Sequence, residues 1–346
     1  MPAIRRRWAG LLLAATLACG AGGASAGDWD RSGVPMMVQQ VGPHSYYVQG
    51  DLNEATHDNE GFIANAGFVV TGDGVVVFDT LGSPALGDQL IAEIRKRTDQ
   101  PIKLVILSHF HADHFYGIQA FKAIGAQVWA NLGIREYLHS DAAMERLAER
   151  KALIGPWLGK DFTLPTVDLW LDSDLEFAMG DIRFSLRHVG PAHSPEDTAL
   201  LVRTDDVLYS GDVVYAGRVP YIGDADTREW LKALDRVLAL PAKVMVPGHG
   251  PVSHDPVRDA TLTRDYLTFL RAQMGQAARD FVPFDEAYDK VDWGKFAAEP
   301  TFGVANRKSV AYHIGRVLAE AGAKCVYVVR DDSIRQAVGK LLGDAD

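Results

Sequence analysis

The sequence predicts an α/β fold made of two αβ halves packed sheet to sheet. Two observations carry this prediction. Strand-like and helix-like runs occur twice in similar order, and apolar strands in both halves stop abruptly at histidines, aspartates or Gly/Pro turns. With 346 residues and 47% hydrophobic content, the chain can build one large domain with an appendage around a sizeable core.

The first 26 residues read as an export signal that precedes the fold. "MPAIRRRWAGLLLAATLACGAGGASAGDWD" has a basic start (Arg5, Arg6, Arg7), a short apolar run and Ala24-Ser25-Ala26, which fits the small-residue cleavage pattern. The apolar run is too short to span a bilayer comfortably, and Thr16-Leu17-Ala18 before Cys19 is a poor lipid-attachment sequence. Cleavage after Ala26 removes three positive charges and no negative one, which moves the net charge from −10 to −13. An acidic chain without a basic run is a poor partner for nucleic acid. The expected partner is a small-molecule substrate, with no integral membrane segment after signal removal; no motif speaks to oligomeric state. Cys325, in the strand-like run "AKCVYVV", is then the sole cysteine, so no intramolecular disulfide is expected.

"GFVVTGDGVVVFDT" reads as a β-hairpin around Gly72-Asp73-Gly74. A helix follows, with Ser83 as N-cap, Pro84 at its first position, and Leu86, Leu90, Ile91 and Ile94 along one face. "PIKLVILSH" is a buried strand, followed by a His-rich loop, a short helix and the strand "AQVWAN". Residues 131–165 are helical in composition, carry Trp157 beside Gly155-Pro156, and lie between the halves where they can cover a site. The second half has β-rich runs "DLEFAMGDIRFSLRHVG" and "TALLVRTDDVLYSGD", the helix "TREWLKALDRVLAL" and the strand "KVMVPGHG". From 256 to 346 the chain is mostly helical, as in "TRDYLTFLRAQMGQAARD" and in "SVAYHIGRVLAEAG", where Val310, Ile314, Val317 and Leu318 form an apolar stripe.

The chemistry concentrates at "LVILSHFHADHFYG", where an apolar strand ends in His109-x-His111-x-Asp113-His114. His109 and His111, two apart at the strand end, can reach one ion, while Asp113 and His114, beyond a turn, can address a second. His193 in "GPAHSPEDT", Asp212 ending "VLYSGD" and His249 ending "VMVPGHG" also sit at strand ends or Gly/Pro turns, where ligands gather. Five histidines and two aspartates suffice for two ions. Such ligands, without a thiolate, suit Zn²⁺ and also Fe or Mn.

Over about residues 38–255 this set resembles the metallo-β-lactamase fold superfamily. The resemblance implies an αββα four-layer sandwich with a two-metal site between the sheets, followed by the helical C-terminal extension. It implies that His109, His111 and His193 hold the first metal, that Asp113, His114 and His249 hold the second, and that Asp212 is the bridging carboxylate. It further implies an exported dinuclear zinc hydrolase whose metal-bound hydroxide attacks an ester, thioester or lactam carbonyl, with Asp113 orienting the hydroxide and shuttling its proton. β-Lactamases of this fold carry Cys or usually Ser at the position of Asp212, so Asp212 points toward glyoxalase II, lactonase and related hydrolases. His111 argues against the flavodiiron proteins, which have Glu there. The signal, "GRVPYIGDADTREWLKALDRVLALPAKVMVPGHG" and "ANRKSVAYHIGRVLAE" are similar to the SoxH-like, quinoprotein-relay type of periplasmic zinc metallohydrolase.

The alternatives are an iron-dependent persulfide dioxygenase using His109, His111 and Asp212, a B3-like β-lactamase, and a non-catalytic metal-binding accessory protein. Neither a G-x-S-x-G elbow nor a cysteine in the site region offers a protein nucleophile. His254 is a candidate for the site mouth. Phe110, Phe115, Tyr116, Trp157 and Tyr221 are candidates for an apolar substrate wall, with core packing expected for at least half of them. Substrate choice is expected in loops around residues 50–62, 131–165 and 215–225.

Overall fold

The computed structural model describes residues 27–298 apart from 281 and 283. The predicted export signal and its cleavage site, the helix at "SVAYHIGRVLAEAG" and Cys325 lie outside the described residues.

Alternation of apolar side chains builds two sheets. The first contains β1 (Val38–Gln40), β2 (Ser45–Val48), β3 (Ala66–Thr71), β4 (Gly74–Phe78), β5 (Ile102–Ile106), β6 (Gln127–Asn131) and β7 (Leu169–Leu171), in that spatial order. It is antiparallel from β1 to β4 and parallel from β4 to β7. The second contains β8 (Leu175–Met179), β9 (Ile182–His188), β10 (Thr198–Val202), β11 (Val207–Tyr215) and β12 (Val244–His249) in the order β12-β11-β10-β9-β8, with β11 and β12 parallel.

The period of two sorts each strand between two cores. In β4, Val75 and Val77 face a helix-side core with Leu86, Leu90 and Ile94, whereas Val76 and Phe78 face a middle core with Phe184 and Leu200. In β10, Leu200 and Val202 face the middle, while Ala199 and Leu201 face a third core with Trp230, Leu234 and Leu270. Three apolar layers between four layers of secondary structure make the αββα sandwich. Each Leu or Phe fully buried in these layers contributes roughly 1.5–3 kcal/mol. The sheets approach so closely at Gly67 that a Cβ there would lie 2.1 Å from the Tyr209 ring.

Helices α1 (Pro84–Arg95), α2 (Ala112–Phe115), α3 (Ile118–Ala123), α4 (Ile134–Leu138) and α5 (Asp141–Leu158) accompany the first sheet. Ser83 caps α1 by accepting from the Leu86 amide at 3.2 Å, with Pro84 in its first turn, as predicted. α6 (Thr227–Leu238) and α8 (Thr261–Arg279) cover the second sheet, joined by α7 (Pro256–Asp259) and α9 (Phe284–Asp289). The described part of the C-terminal extension is therefore helical, and it packs on α6 and β11. Residues 131–165 form α4 and α5, with α5 broken at Ile154 just before Pro156, where the missing amide cannot continue the helix. The edge strands β1 and β7 escaped the sequence reading, since three residues are too few to display alternation.

Candidate metal centre

All seven predicted ligands converge at one end of the sandwich, and each is at most 9% exposed. They form two groups, His109, His111, His193 and Asp212 in one and Asp113, His114 and His249 in the other, with ligand atoms within 4.8 Å of one another in each. β5 delivers His109 and His111 just beyond its end, and the one-turn helix α2 presents Asp113 and His114. His193 comes from the β9–β10 connection, Asp212 from within β11, and His249 from the last position of β12.

Asp212 joins the groups. Its Oδ1 lies 3.1 Å from His114 Nε2, and its Oδ2 lies 3.2 Å from His193 Nε2 and 3.3 Å from His249 Nε2. Asp113 Oδ2 lies 3.4 Å from His249 Nε2 and 3.7 Å from His114 Nε2. β12 can approach this closely because residue 248 is glycine: a Cβ there would stand 1.9 Å from Asp212 Oδ1.

The outer nitrogen of every histidine is engaged, which decides which nitrogen faces inward. Ser108 Oγ donates to Asp79 Oδ2 at 2.7 Å and so accepts from His109 Nδ1 at 2.8 Å. His111 Nε2 donates to Asp224 at 2.9 Å, and His114 Nδ1 donates to Asp79 at 2.8 Å. His193 Nδ1 donates to the Tyr221 carbonyl at 2.9 Å, and His249 Nδ1 to the Ile63 carbonyl at 2.7 Å. The bare nitrogens are therefore Nε2 of His109, His114, His193 and His249, and Nδ1 of His111. Three of them crowd together, with His111 Nδ1 3.1 Å from His109 Nε2 and 2.7 Å from His193 Nε2. His114 Nε2 and Asp212 Oδ1 are buried without any hydrogen-bond partner. Lone pairs facing lone pairs are unfavourable until a cation sits among them, so the residues fit metal ions.

The electrostatics agree. Burial, with the neighbouring histidine His114, holds the His109 imidazole well below its ordinary range, and burial brings His193 down to about 3. Both are neutral, as a metal ligand must be. Burial works against the charge of Asp113 and Asp212, but the surrounding histidines, together with Arg150 beside Asp113, keep both carboxylates below their usual range. Burial also opposes charge on His114, yet Asp212 and Asp79 raise it well above its ordinary range, so this corner attracts positive charge.

Asp79, Ser108, Tyr215 and Asp224 were missed by sequence reasoning. Asp79 directly follows β4 in "VVVFDT", a strand-end signal that was available, and it adopts a left-handed φ of 63° that is uncommon for a non-glycine residue. Asp212, read from the sequence as a strand end, instead lies within β11, because the apolar run Val213-Val214-Tyr215 carries the strand on past it. Tyr215 Oη donates to Asp212 Oδ2 at 2.5 Å while its ring stacks on His249. Asp224, in an exposed-looking loop, had no distinguishing signal.

A cavity of about 550 Å³ opens over the centre, and all three predicted substrate loops line it: Glu54 from the first, Arg146 and Arg150 from the second, Arg218, Tyr221 and Asp224 from the third. His254 is exposed and does not line it, because the chain after Gly250 folds back along β12, where Ser253 pairs with Met245. Of the five aromatic candidates only Tyr221 does. Phe115 and Tyr116 are core residues, Phe110 stacks on Tyr137 within the same core, and Trp157 packs against that core and meets His57 edge-on.

The profile of the metallo-beta-lactamase superfamily matches residues 59–249, more than half of the chain. The chain is 26% identical over 259 residues to a linear primary-alkylsulfatase from Pseudomonas sp. (strain ATCC 19151), covering 63% of this chain and 48% of that protein. It is 24% identical over 187 residues to a metallo-beta-lactamase type 2 from Bacillus cereus, covering 53% of this chain and 65% of that one. The chain thus spans about half the length of the alkylsulfatase. A metallo-beta-lactamase from Pontibacter korlensis shares the fold, with a TM-score of 0.54 at 22% identity over 68% of this chain and 99% of that one. No described helix is long and apolar enough to cross a membrane.

Proposed function

The chain belongs to the metallo-β-lactamase superfamily, and from that premise we propose that it is a metal-dependent hydrolase acting on a small molecule. The observation that carries this reading is the pair of ligand groups sharing Asp212, each histidine locked by an outer partner with its bare nitrogen inward. In this reading His109, His111 and His193 hold one ion, Asp113, His114 and His249 the other, and Asp212 serves both. When bound, two such ions supply Lewis acidity and a water of lowered pKa.

The protein's own groups do the rest. Asp113, kept ionised by His114, His249 and Arg150, takes the proton of the attacking water on its carboxylate and passes it toward the leaving group. Tyr215 anchors Asp212, and Asp224 fixes the ring of His111. The cavity confines the substrate between α5 and the segment after β11.

The finer proposal is an exported enzyme with two zinc ions that cleaves a carbonyl compound: an ester, thioester or lactam. The imidazole and carboxylate donors support zinc. Arg5-Arg6-Arg7, the apolar run and Ala24-Ser25-Ala26 support export, as does the similarity to periplasmic metallohydrolases. The similarity to an alkylsulfatase favours a second reading, sulfate-ester hydrolysis.

The test is to purify the chain, count metal by elemental analysis, and screen it against thioesters, lactones, β-lactams and alkyl sulfates. Two equivalents of zinc and turnover of a carbonyl substrate are expected. One iron with no zinc, after expression with both available, would overturn the dinuclear zinc proposal. Fractionation with N-terminal sequencing should find Gly27 first in the periplasm; intact Met1 in the cytoplasm would overturn export.

A further inference from the structure

The segment Asp28–Val34, ahead of β1, forms neither helix nor strand, yet it bonds to three separate elements. The first is α1: Trp29 Nε1 donates to Asp88 Oδ2 at 2.8 Å, and Gln89 Nε2 donates to the Val34 carbonyl at 2.7 Å. α1 is a firm anchor, since Leu86, Leu90, Ile91 and Ile94 bury it in the helix-side core. The second is the end of α5. The Asp30 amide donates at 2.9 Å to the Pro156 carbonyl, one of the last carbonyls of α5, which have no acceptor role left within the helix. Just beyond, Asp28 Oδ2 accepts from the amides of Lys160 at 2.9 Å and Asp161 at 3.2 Å. Gly159 permits this approach: its φ is 88°, and a Cβ there would lie 2.4 Å from Asp28 Oδ1. The third is the loop over residues 50–62, where the Gly33 amide donates to both carboxyl oxygens of Glu60, at 3.0 and 3.2 Å. Glu60 is 8% exposed and adopts a left-handed φ of 53°, a strain that persists only where surrounding contacts fix it.

The loop and α5 also lean on each other and on the cavity. A Cβ at Gly61 would lie 3.2 Å from Ile154 Cδ1, at the break in α5, and the His57 ring meets Trp157 edge-on at 4.8 Å. Further along, the same two elements line the cavity, the loop through Glu54 and α5 through Ala142, Glu145 and Glu149. α5 has little else to fix it. Only Ala143, Leu147, Ile154 and Leu158 of the helix are buried, and its path is interrupted at Ile154. A helix with so few buried apolar contacts opens easily unless its ends are tied.

We infer that Asp28, Asp30, Gly33 and Glu60 form a brace that couples the loop over residues 50–62 to α5, and thereby sets access to the metal centre through the cavity. These are positioning residues, acting on whatever enters only through the wall they support. Releasing either end of the brace loosens both elements, because each rests on the other at Gly61 and Ile154 and both are tied to α1 by one segment. A tie of purely local effect would loosen only the element it bonds. The brace is independent of which reaction the centre carries out.

The test is hydrogen exchange read by mass spectrometry on the full purified protein loaded with zinc. The proteins are wild type, Asp28→Ala, Asp28→Asn and Glu60→Ala, each checked by circular dichroism and zinc content. Asp28→Ala should speed exchange roughly three- to tenfold in residues 141–158 and also in residues 51–61, which lie beyond the hydrogen bonds of Asp28. Glu60→Ala should do the same in both segments. Asp28→Asn keeps an acceptor oxygen and should restore the wild-type pattern. Access is read as the rate of zinc release to dipicolinate, which should rise by a similar factor in both alanine variants while their zinc content stays that of wild type. Faster exchange confined to the segment each side chain bonds, or zinc release as slow as in wild type, would overturn the brace. Neither readout needs turnover, so a protein that hydrolyses none of the screened compounds would remove the hydrolase reading and still decide the brace.

Discussion

Asp224 accepts a hydrogen bond from His111 Nε2 at 2.9 Å, across 113 positions of sequence, and thereby turns His111 Nδ1 toward His109 and His193. His111 is thus the one histidine of the five that faces inward through Nδ1. Burial works against the charge of Asp224, but the hydrogen bond from His111 draws its carboxyl down to about 2, so it is ionised throughout the working range. Asp224→Ala should free the ring to rotate and lower affinity for the ion in the first group by roughly 10- to 100-fold. Competition for zinc against a chelating dye measures this. Affinity equal to wild type would show that Asp224 does not orient the ligand.

Gly248 tests the geometry from the backbone side. Its Cβ position falls 1.9 Å from Asp212 Oδ1 and 2.7 Å from the Gly211 carbonyl carbon, so alanine forces β11 and β12 apart at the shared carboxylate. Gly248→Ala should bind fewer than two equivalents of metal while the rest of the sandwich folds. Elemental analysis beside circular dichroism distinguishes loss of the site from loss of the fold. Two full equivalents in Gly248→Ala would mean that Asp212 is not shared.

Much of this was legible from strand ends. A strand that ends in His, Asp or a Gly/Pro turn announces both its burial and its ligand, which is why His109, His111, Asp113, His114, His193, Asp212 and His249 could be gathered from four separate stretches of sequence. The ββ hairpin at Gly72-Asp73 and the Ser83 cap were legible because local chemistry decides them. The residues that orient the ligands were not. Asp224 lies two residues before the N-cap Asp226 of α6 and resembles any loop acid, and its role exists only because the fold carries it to His111. The aromatic candidates divide as expected, with four of the five in or against the core and only Tyr221 at the cavity. Phe115 and Tyr116 follow the His-rich loop directly, yet α2 turns them into the helix-side core while Asp113 and His114 face the ligands.

Tyr215 reaches Asp212 from three residues away with a 2.5 Å hydrogen bond. A bond of this kind to a charged acceptor is worth about 1.5–3 kcal/mol. Tyr215→Phe keeps the ring stack on His249 and removes only the donor, so Asp212 is less firmly placed. Metal affinity should fall roughly tenfold, and kcat should fall with it when zinc is limiting but recover in part at saturating zinc. A loss of kcat that saturating zinc leaves untouched would instead give the hydroxyl a direct part in proton transfer.

Glu196 offers a test of stability independent of the ligands. Its side chain is 2% exposed, in the connection between β9 and β10, and Oε1 has no hydrogen-bond partner. Burial pushes its carboxyl up to about 8. In the unfolded chain a glutamate titrates near about 4.3. Between those values the folded protein keeps a proton that the unfolded chain has released, so this residue makes stability fall as pH rises, from about 4.5 until about 8, and level off above. Glu196→Gln supplies a neutral group of the same shape at every pH and removes that slope. The variant should match wild type at pH 5 and exceed it at pH 9, by on the order of a few kcal/mol. Urea unfolding of both proteins across that range decides it. Parallel stability curves would show that Glu196 is ionised in the folded protein and has found a partner that offsets its burial.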